Sequence, residues 1–351
     1  MHPHPDAHPP ASRDDRVESR SGFLDLGLIS PELGCEPPIW ARGGHLQTLA
    51  GQFLPYRVPD LPWERQRLGL QDGDALAVQT LDGSTGVVVH LFHGMAGSVQ
   101  GHYMRRAAAL CHAHGHAVIA ANHRGAGEGR GWSRRFYHGG STRDMAAVLR
   151  YGRERFPGHL QVAVGYSFSA SILLLLMGRN AAEGVPDRAI AVNPPVDLED
   201  CSRRLSTGLN RLYDMYFINR IRQEVLARRG ATALVPTRTT RDFDSAYVAA
   251  MAGFPDRASY YAQCSCGPHL DAIRVPTVII TSRDDPFAPA AEILKQAISP
   301  RVHLHVERSG GHMGYVSGNL PNRRWLDYAL GHYLDQLLAL PWPAAQPAKA
   351  S

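Results

Sequence analysis

The sequence predicts an α/β fold, with a mostly parallel central sheet, helices on both faces and a helical insertion. Short apolar runs that end in glycine or a polar residue alternate with segments of helical periodicity. One long segment late in the chain contains no strong apolar run. The 351 residues, 44% hydrophobic and 20% charged, are enough for one large domain with a buried core.

The predicted strands are short and continuously apolar, as strands buried on both faces of a sheet are. In chain order they are "GVVVHLFHG", "HAVIAANHRG", "LQVAVG", "RAIAVNPP", "VPTVIITSRDD" and "VHLHVERSGGH". The predicted helices that alternate with them are "HYMRRAAALCHAHG", "STRDMAAVLRYGRERF", "SILLLLMG" and "APAAEILKQAI". Gly115 is expected to end the first helix, and a Ser or Thr to cap the second.

The chain is expected to form one domain over residues 21–340. Residues 1–20 are rich in Pro and His without an apolar core, so we expect a disordered leader and not a signal peptide. Residues 341–351 are expected to be a flexible tail. The helical insertion, at about 197–271, is interpreted as a lid over an active site, with an extra packed subdomain as the alternative.

Composition argues against several classes of protein. The net charge is +5, but the basic residues do not cluster, so we expect no nucleic acid partner. The run "ILLLLM" is too short to span a bilayer, and we expect no transmembrane segment and a cytoplasmic location. Cys264, Cys266 and His269 lack a second ligand pair, so we expect no metal site and no cofactor. The five cysteines are expected to be reduced.

The stretch "VAVGYSFSAS" places Ser167 between a predicted parallel strand and a helix. Ligand chemistry in such sheets lies outside the carboxyl ends of the strands. The pattern G-x-S-x-G marks a nucleophile on a tight turn with small neighbours, and here Gly165 fits while Ser169 replaces the second glycine. The alternative is that Ser167 only caps the helix that follows it.

A serine nucleophile needs a base and an acid that positions the base. In hydrolases whose serine follows a parallel strand in this way, the acid comes after the serine in the chain and the histidine comes last. "TVIITSRDDPFAP" supplies Asp285, with Asp284 as the alternative acid, and "VERSGGHMGY" supplies His312 as the base. Asp285 is favoured because of its spacing to Pro289. The other role for Asp284 is as a helix cap.

An oxyanion hole is expected from two backbone N–H groups, those of Met95 and Phe168. Met95 lies in "LFHGMAGS", the turn after the first strong strand, and Phe168 follows the nucleophile. His93 in the same turn is interpreted as structural rather than as a proton carrier.

The sequence resembles α/β hydrolases of the YheT type, bacterial relatives of the ABHD-type lipases and esterases. The motifs that carry this resemblance are "PPIWARGGHLQTLAG", "FHGMAGS", "NHRG", "FYHGGSTRDM", "VGYSFSAS", "DDPF" and "GGHMGY". The resemblance covers roughly residues 35–335. The resemblance implies the same three residues, Ser167, Asp285 and His312. Ser169, and "GGH" in place of "NPH", depart from the family pattern. His45 and Gln47 of the signature are interpreted as structural, closing the sheet edge.

The expected activity is hydrolysis of carboxylic esters with short- to medium-chain acyl groups through an acyl-serine. The partner is a small-molecule ester with an apolar acyl arm, and the oligomeric state is left open. The insertion carries aromatic residues that could line this arm or only pack the insertion: Tyr213, Tyr216, Phe217, Phe243 and Tyr247. The alternatives are a thioesterase, amidase or lactonase using the same residues, or a non-catalytic binding module.

Overall fold

The computed structural model describes residues 17–20, 26–179, 184–227 and 237–341. Within these ranges one sheet has the strand order β1-β9-β8-β7-β6-β4-β5-β3-β2. Its strands are β1 Val17–Arg20, β2 Glu64–Gly69, β3 Ala75–Leu81, β4 Val87–Phe92, β5 Ala117–Ala121, β6 Leu160–Tyr166, β7 Arg188–Val192, β8 Thr277–Ser282 and β9 Val302–Glu307. The predicted α/β fold with a mostly parallel sheet is confirmed.

The six predicted strands form the parallel part of the sheet, from β5 through β4, β6, β7 and β8 to β9. Every residue of β5, β6, β7, β8 and β9 is buried, because helices cover both faces. Antiparallel strands complete the two edges, with β3 and β2 on one side and β1 on the other. The carboxyl ends of the parallel strands therefore lie along one edge of the sheet.

The helices that flank the sheet come from throughout the chain. They are α1 Gly44–Phe53, α2 His102–Ala113, α3 Thr142–Arg155, α4 Phe168–Gly178, α10 Ala290–Leu294 and α11 Trp325–Ala339. All of α4 is buried, which explains why "ILLLLM" is apolar on every side. Residues of α2 and α11 pack in one core layer, and residues of α3 and α4 in another. In the described part of the chain, no helix combines the length and apolarity needed to cross a membrane.

The described residues between β7 and β8 contain helices and no strand. These helices are α5 Leu198–Leu205, α6 Arg211–Leu226, α7 Thr240–Phe243, α8 Ala249–Met251 and α9 Arg257–Cys264, with a π-helical turn at Asp244–Val248. Ile218, Ile221 and Phe243 join the same core layer as α4. The insertion is therefore packed on the sheet, and it continues the hydrophobic core.

The chain ends differ from the prediction in one place. The strand β1, Val17–Arg20, covers the last four residues of the expected disordered leader, because it pairs with the exposed edge of β9. The rest of that leader, residues 1–16, lies outside the described residues, as does the expected tail from residue 342 onward.

Candidate active site

Ser167 lies on a sharp turn between β6 and α4. Its backbone has φ 52° and ψ −117°, a strained conformation for a residue with a side chain. A Cβ added at Gly165 would lie 2.8 Å from the Ser169 carbonyl oxygen and 2.9 Å from the Ala170 Cα, so this position has room only for glycine. Ser167 holds the N-cap position of α4 but its hydroxyl makes no capping hydrogen bond, so the alternative of a simple helix cap is not what the structure has.

The Ser167 hydroxyl instead faces an imidazole. Its Oγ lies 2.7 Å from Nε2 of His312, and Nδ1 of His312 lies 2.8 Å from Oδ2 of Asp285. A carboxylate can only accept, so His312 carries its proton on Nδ1 and leaves Nε2 able to accept from the serine hydroxyl. The structure thus brings together the three predicted side chains, from the ends of three different strands.

Asp285 is held from several directions. Its Oδ1 accepts the backbone N–H groups of Phe287 and Ala288 at 3.1 and 2.8 Å. Burial alone would raise the pKa of this carboxyl, but the neighbouring His312 and the two N–H donors lower its pKa below the ordinary value. Asp285 is therefore an ionised acceptor in a fixed orientation toward His312.

Asp284 contacts the loop before His312 and not the imidazole itself. Its Oδ1 accepts the backbone N–H groups of Gly310 and Gly311, each at 2.9 Å. These two glycines precede His312, so Asp284 shapes the loop that presents the imidazole. The expectation that Asp284 caps the following helix is not met, and of the two candidate acids it is Asp285 that contacts His312.

Asn193 is a site residue that sequence reasoning missed. It follows β7 with φ 47°, and its Nδ2 donates to Oδ2 of Asp285 at 2.8 Å and to the Gly311 carbonyl oxygen at 3.3 Å. It therefore ties the acid to the loop that carries His312. The available signal was its position in "AVNPP", a polar residue at the carboxyl end of a parallel strand.

The loop after β4 lies directly against the nucleophile. A Cβ added at Gly94 would come within 3.2 Å of the Ser167 Cβ. Met95 and Phe168 both line the pocket that contains Ser167. The Phe168 N–H opens α4 and so has no intrahelical acceptor, and within the described ranges the Met95 N–H is likewise without a protein acceptor. Both N–H groups are thus available to an oxygen atom bound beside Ser167.

Two tyrosines orient this loop. The Tyr103 hydroxyl accepts the N–H of Gly94 at 2.9 Å, and the Tyr137 hydroxyl accepts the N–H of Ala96 at 2.8 Å. Both rings are anchored in the core, and Ala96 adopts φ 55°. The N–H groups on either side of Met95 are therefore occupied, while that of Met95 is left for a ligand. Sequence reasoning found neither tyrosine: Tyr103 lies nine residues after Gly94, at the start of α2, whereas Tyr137 lies 41 residues from Ala96.

Ser169, the departure from the glycine pattern, is held in place by hydrogen bonds inside the protein. It is completely buried, and its hydroxyl donates to the His93 carbonyl oxygen and lies 2.7 Å from Nε2 of His123. Burial lowers the pKa of His123 to about 4, so its imidazole is neutral near pH 7. The backbone N–H of His123 in turn donates to Nε2 of His93, 3.1 Å away, which agrees with a structural role for His93.

Helix α1 supports the loop that carries His312. The Thr48 hydroxyl accepts the His312 N–H at 2.9 Å. The Gln47 amide bonds both the N–H and the carbonyl oxygen of Val316, at 2.7 and 3.0 Å. His45 contacts the hydroxyl of Tyr213 in α6, at 3.1 Å. The contacts of Gln47 agree with the structural role interpreted for it, but they lie at the catalytic end of the sheet and not at its edge.

A family model described as the alpha/beta hydrolase fold matches residues 87–318, which is more than half of the chain. The chain belongs to the α/β hydrolase family. It is 29% identical over 309 residues to YheT of Escherichia coli (strain K12), with 84% of this chain and 91% of that protein covered. It is 23% identical to human phospholipase ABHD3, with 82% and 75% covered. The resemblance to YheT-type α/β hydrolases is confirmed.

A solved structure of an esterase from Pyrococcus furiosus shares the fold. Its TM-score is 0.56 at 14% sequence identity, and the alignment covers 88% of this chain and 99% of that one. At this identity the likeness concerns the fold alone.

A pocket of about 520 Å³, including its mouth, opens beside Ser167 of this hydrolase. The side chains that line it are mostly apolar and come largely from the insertion: Met95, Phe168, Pro195, Leu198, Cys201, Ser202, Leu205, Phe217, Thr240, Asp244, Tyr260, Tyr261 and Phe287. Of the five aromatic residues proposed for an apolar arm, only Phe217 is among them. Phe243 and Tyr247 stack on each other, with Phe243 buried in the core.

The wall of the pocket also contains one carboxyl group. Asp244, in the π-helical turn, accepts from the Tyr261 hydroxyl at 2.7 Å, and this hydroxyl also lies 3.0 Å from Ser202 Oγ. Burial raises the pKa of Asp244 to about 7, against the lowering effect of Tyr261 and Arg257. This polar group was not predicted, since "DFDSAYVAAM" shows no pattern that distinguishes a pocket residue.

The described residues contain no cluster of three or more His, Cys, Asp or Glu side chains that could hold a metal ion. Cys264 and Cys266, considered above with His269, are buried and free, and burial raises the pKa of each thiol to about 12. They are therefore poor nucleophiles and poor metal ligands near pH 7.

Proposed function

We propose that this α/β hydrolase is a serine esterase that cleaves carboxylic esters with short- to medium-chain acyl groups through an acyl-serine intermediate. The observation that carries the proposal is the continuous chain of hydrogen bonds from Ser167 through His312 to Asp285, at 2.7 and 2.8 Å. These distances lie in the range required for proton transfer from nucleophile to base.

The mechanism follows from the donors and acceptors around Ser167. Nε2 of His312 takes the hydroxyl proton as Oγ attacks the ester carbonyl, and Asp285 stabilises the imidazolium that forms. The N–H groups of Met95 and Phe168 donate to the developing oxyanion. His312 then gives the proton to the leaving alcohol, so that the acyl group remains on Ser167.

The second half of the reaction reverses these roles. A water molecule loses its proton to His312 and attacks the acyl-serine carbonyl, and the same two N–H groups hold the second oxyanion. Collapse breaks the Oγ–acyl bond, releases the carboxylic acid and returns the proton to Ser167. Each step uses groups already described, so the reaction requires no cofactor.

The preference for a short or medium apolar acyl group rests on the pocket. Apolar side chains in its lining, such as Leu198, Leu205 and Phe217, favour a hydrocarbon arm. Much of this lining comes from the insertion, which we accordingly propose acts as a cover over the site. All five cysteines are free, which suits action in a reducing compartment such as the cytoplasm.

The test is a panel of p-nitrophenyl esters from acetate to palmitate, run beside acyl-CoA thioesters, amides and lactones with the wild type and Ser167→Ala. We expect the highest kcat/KM on esters of about four to eight acyl carbons, with Ser167→Ala near the uncatalysed rate. Higher kcat/KM on thioesters, amides or lactones would replace the esterase assignment. If the protein binds esters but hydrolyses no compound of the panel, a binding module would be favoured.

A further inference from the structure

Large apolar side chains are exposed in two segments of the chain. Twelve such side chains are at least 40% exposed within the described residues, and nine of them lie in residues 39–53 and 209–216. They are Ile39, Trp40, Leu46, Leu49, Phe53, Leu209, Leu212, Met215 and Tyr216. We call these nine side chains the two-helix surface, because most belong to α1 and α6. Single exposed apolar residues are ordinary, whereas a concentration of this kind marks an interaction site.

The two helices lie next to each other at the mouth of the active site. His45 of α1 stacks on Tyr213 of α6, with ring centroids 5.8 Å apart. Tyr213 packs on Phe287 at 5.6 Å, and Phe287 packs on His312 at 4.1 Å. Thr48 reaches the His312 backbone from the inner side of α1. The outer sides of both helices therefore present the two-helix surface around the entrance to Ser167.

The apolar positions on each helix follow helical spacing. On α1 they are Leu46, Leu49 and Phe53, while Gln47 and Gly51 on the other side are buried. On α6 they are Leu212, Met215 and Tyr216, opposite the buried Asp214, Ile218 and Ile221. Each helix thus has one side packed on the protein and one apolar side whose side chains are 44–76% exposed, as helices that lie in a membrane interface do.

The charges beside these side chains are mostly positive, although the exposed acids Glu36 and Asp60 lie just beyond the ends of the first segment. Arg42, Arg57, Arg211 and Arg220 are exposed in or next to the two segments. Residues 39–57 contain no Asp or Glu, and in residues 207–220 the sole acidic residue is Asp214, which is buried and accepts from Thr240. The surface is therefore apolar with a rim of guanidinium groups.

We propose that the two-helix surface docks this hydrolase onto an anionic phospholipid surface, with the active-site mouth facing the lipid. Apolar side chains would enter the headgroup region while the arginines pair with lipid phosphates. A second copy of the chain is a poorer partner, since a symmetric contact would place the arginine rims against each other. The inference goes beyond the proposed activity, and it concerns binding without turnover.

The test uses the full chain carrying Ser167→Ala, so that no lipid can be consumed. Sedimentation with sucrose-loaded vesicles of equimolar phosphatidylglycerol and phosphatidylcholine is compared with pure phosphatidylcholine, at 0.1 and 0.5 M NaCl. We expect binding to the anionic vesicles at low salt. In 0.5 M NaCl or on pure phosphatidylcholine it should weaken at least about tenfold, because the arginines contribute through a screened interaction.

The two-helix surface is tested by the double variant Phe53→Ser with Leu212→Ser, whose side chains are 76% and 65% exposed. The matched control is Ile29→Ser with Leu226→Ser, which are 72% and 42% exposed but lie outside that surface. We expect the first variant to lose at least about tenfold in partition coefficient and the control less than about twofold. Thermal unfolding of both variants at the wild-type temperature establishes that they fold.

Three results would overturn the proposal. One is no sedimentation of the parent protein with anionic vesicles. Another is equal binding by the two double variants. The third is a solution mass, from light scattering, that falls from dimer to monomer in the Phe53→Ser, Leu212→Ser variant while vesicle binding is unchanged, which would assign the surface to a second copy. None of these depends on ester hydrolysis, so the proposed activity could fail while this inference stands.

Discussion

Replacing Asp285 by asparagine tests how the site controls the protonation of His312. Oδ1 accepts two backbone N–H groups, from Phe287 and Ala288, so the amide oxygen of the variant must occupy that position. The new NH₂ group then takes the place of Oδ2, where Nδ1 of His312 and Nδ2 of Asn193 both stand 2.8 Å away as donors. Three donors meet there with no acceptor.

His312 can keep a bond to the new amide only by accepting at Nδ1, which moves its proton to Nε2. Nε2 can then no longer take the proton of Ser167. We expect kcat to fall about 10⁴-fold, the loss known for the same change in a serine protease, which corresponds to about 5 kcal/mol of transition-state stabilisation. The fold should persist, because the backbone N–H groups of Phe287 and Ala288 keep their acceptor.

Asp284→Asn is the matched control on the adjacent residue. Its amide oxygen can still accept from Gly310 and Gly311, so we expect kcat within about tenfold of wild type, a loss on the order of 1 kcal/mol. The assay is steady-state hydrolysis of p-nitrophenyl butyrate from pH 6 to 9, with thermal unfolding as the check on folding. A large loss in Asp284→Asn with a small one in Asp285→Asn would refute the reasoning.

Three further predictions concern residues around the site. Ser169→Gly removes the hydroxyl between His93 and His123, and calorimetry should show a free energy of unfolding lower by about 1–3 kcal/mol while kcat changes less than about threefold. Ser169→Val should also reduce kcat, and an unchanged kcat in this variant would contradict the tight turn. Tyr137→Phe frees the Ala96 N–H and should lower kcat about tenfold at unchanged KM in ester kinetics, whereas a change in KM alone would contradict its role in shaping the oxyanion hole. The pKa of Asp244 is raised to about 7 in the folded protein, so its carboxyl stabilises the fold below about pH 4 and this contribution is lost as the pH rises to 7. Asp244→Asn should therefore reduce the pH dependence of the unfolding temperature between about pH 5 and 8. An unchanged slope of unfolding temperature against pH would contradict the assigned pKa.

The parallel strands of the fold could be predicted from sequence because each is buried on both faces. "GVVVHLFHG" and "VPTVIITSRDD" read as continuous apolar runs for that reason. The edge strand β2, "ERQRLG", is half exposed and mostly polar, so its sequence carries no comparable signal. The strand β2 was therefore found only in the structure, as were β1 and also β3, although all seven residues of β3 are buried.

The candidate site could be predicted for those residues whose type and position after a given strand are both required by the chemistry. Ser167 follows a strand and a glycine, and Asp285 and His312 follow later strands in the order that the chemistry requires. Asn193 and Tyr137 could not be predicted in the same way. Their roles depend on contacts between segments far apart in the chain, 92 residues for Asn193 with Asp285 and 41 for Tyr137 with Ala96.

The most direct test of the central claim is covalent labelling of the nucleophile. Wild-type protein, Ser167→Ala and Ser169→Ala are each treated with a fluorophosphonate, and intact mass and peptide mapping locate the adduct. Wild type and Ser169→Ala should each gain one phosphonyl group on Ser167, and Ser167→Ala should gain none. An adduct on another residue, or equal labelling of Ser167→Ala, would contradict the account.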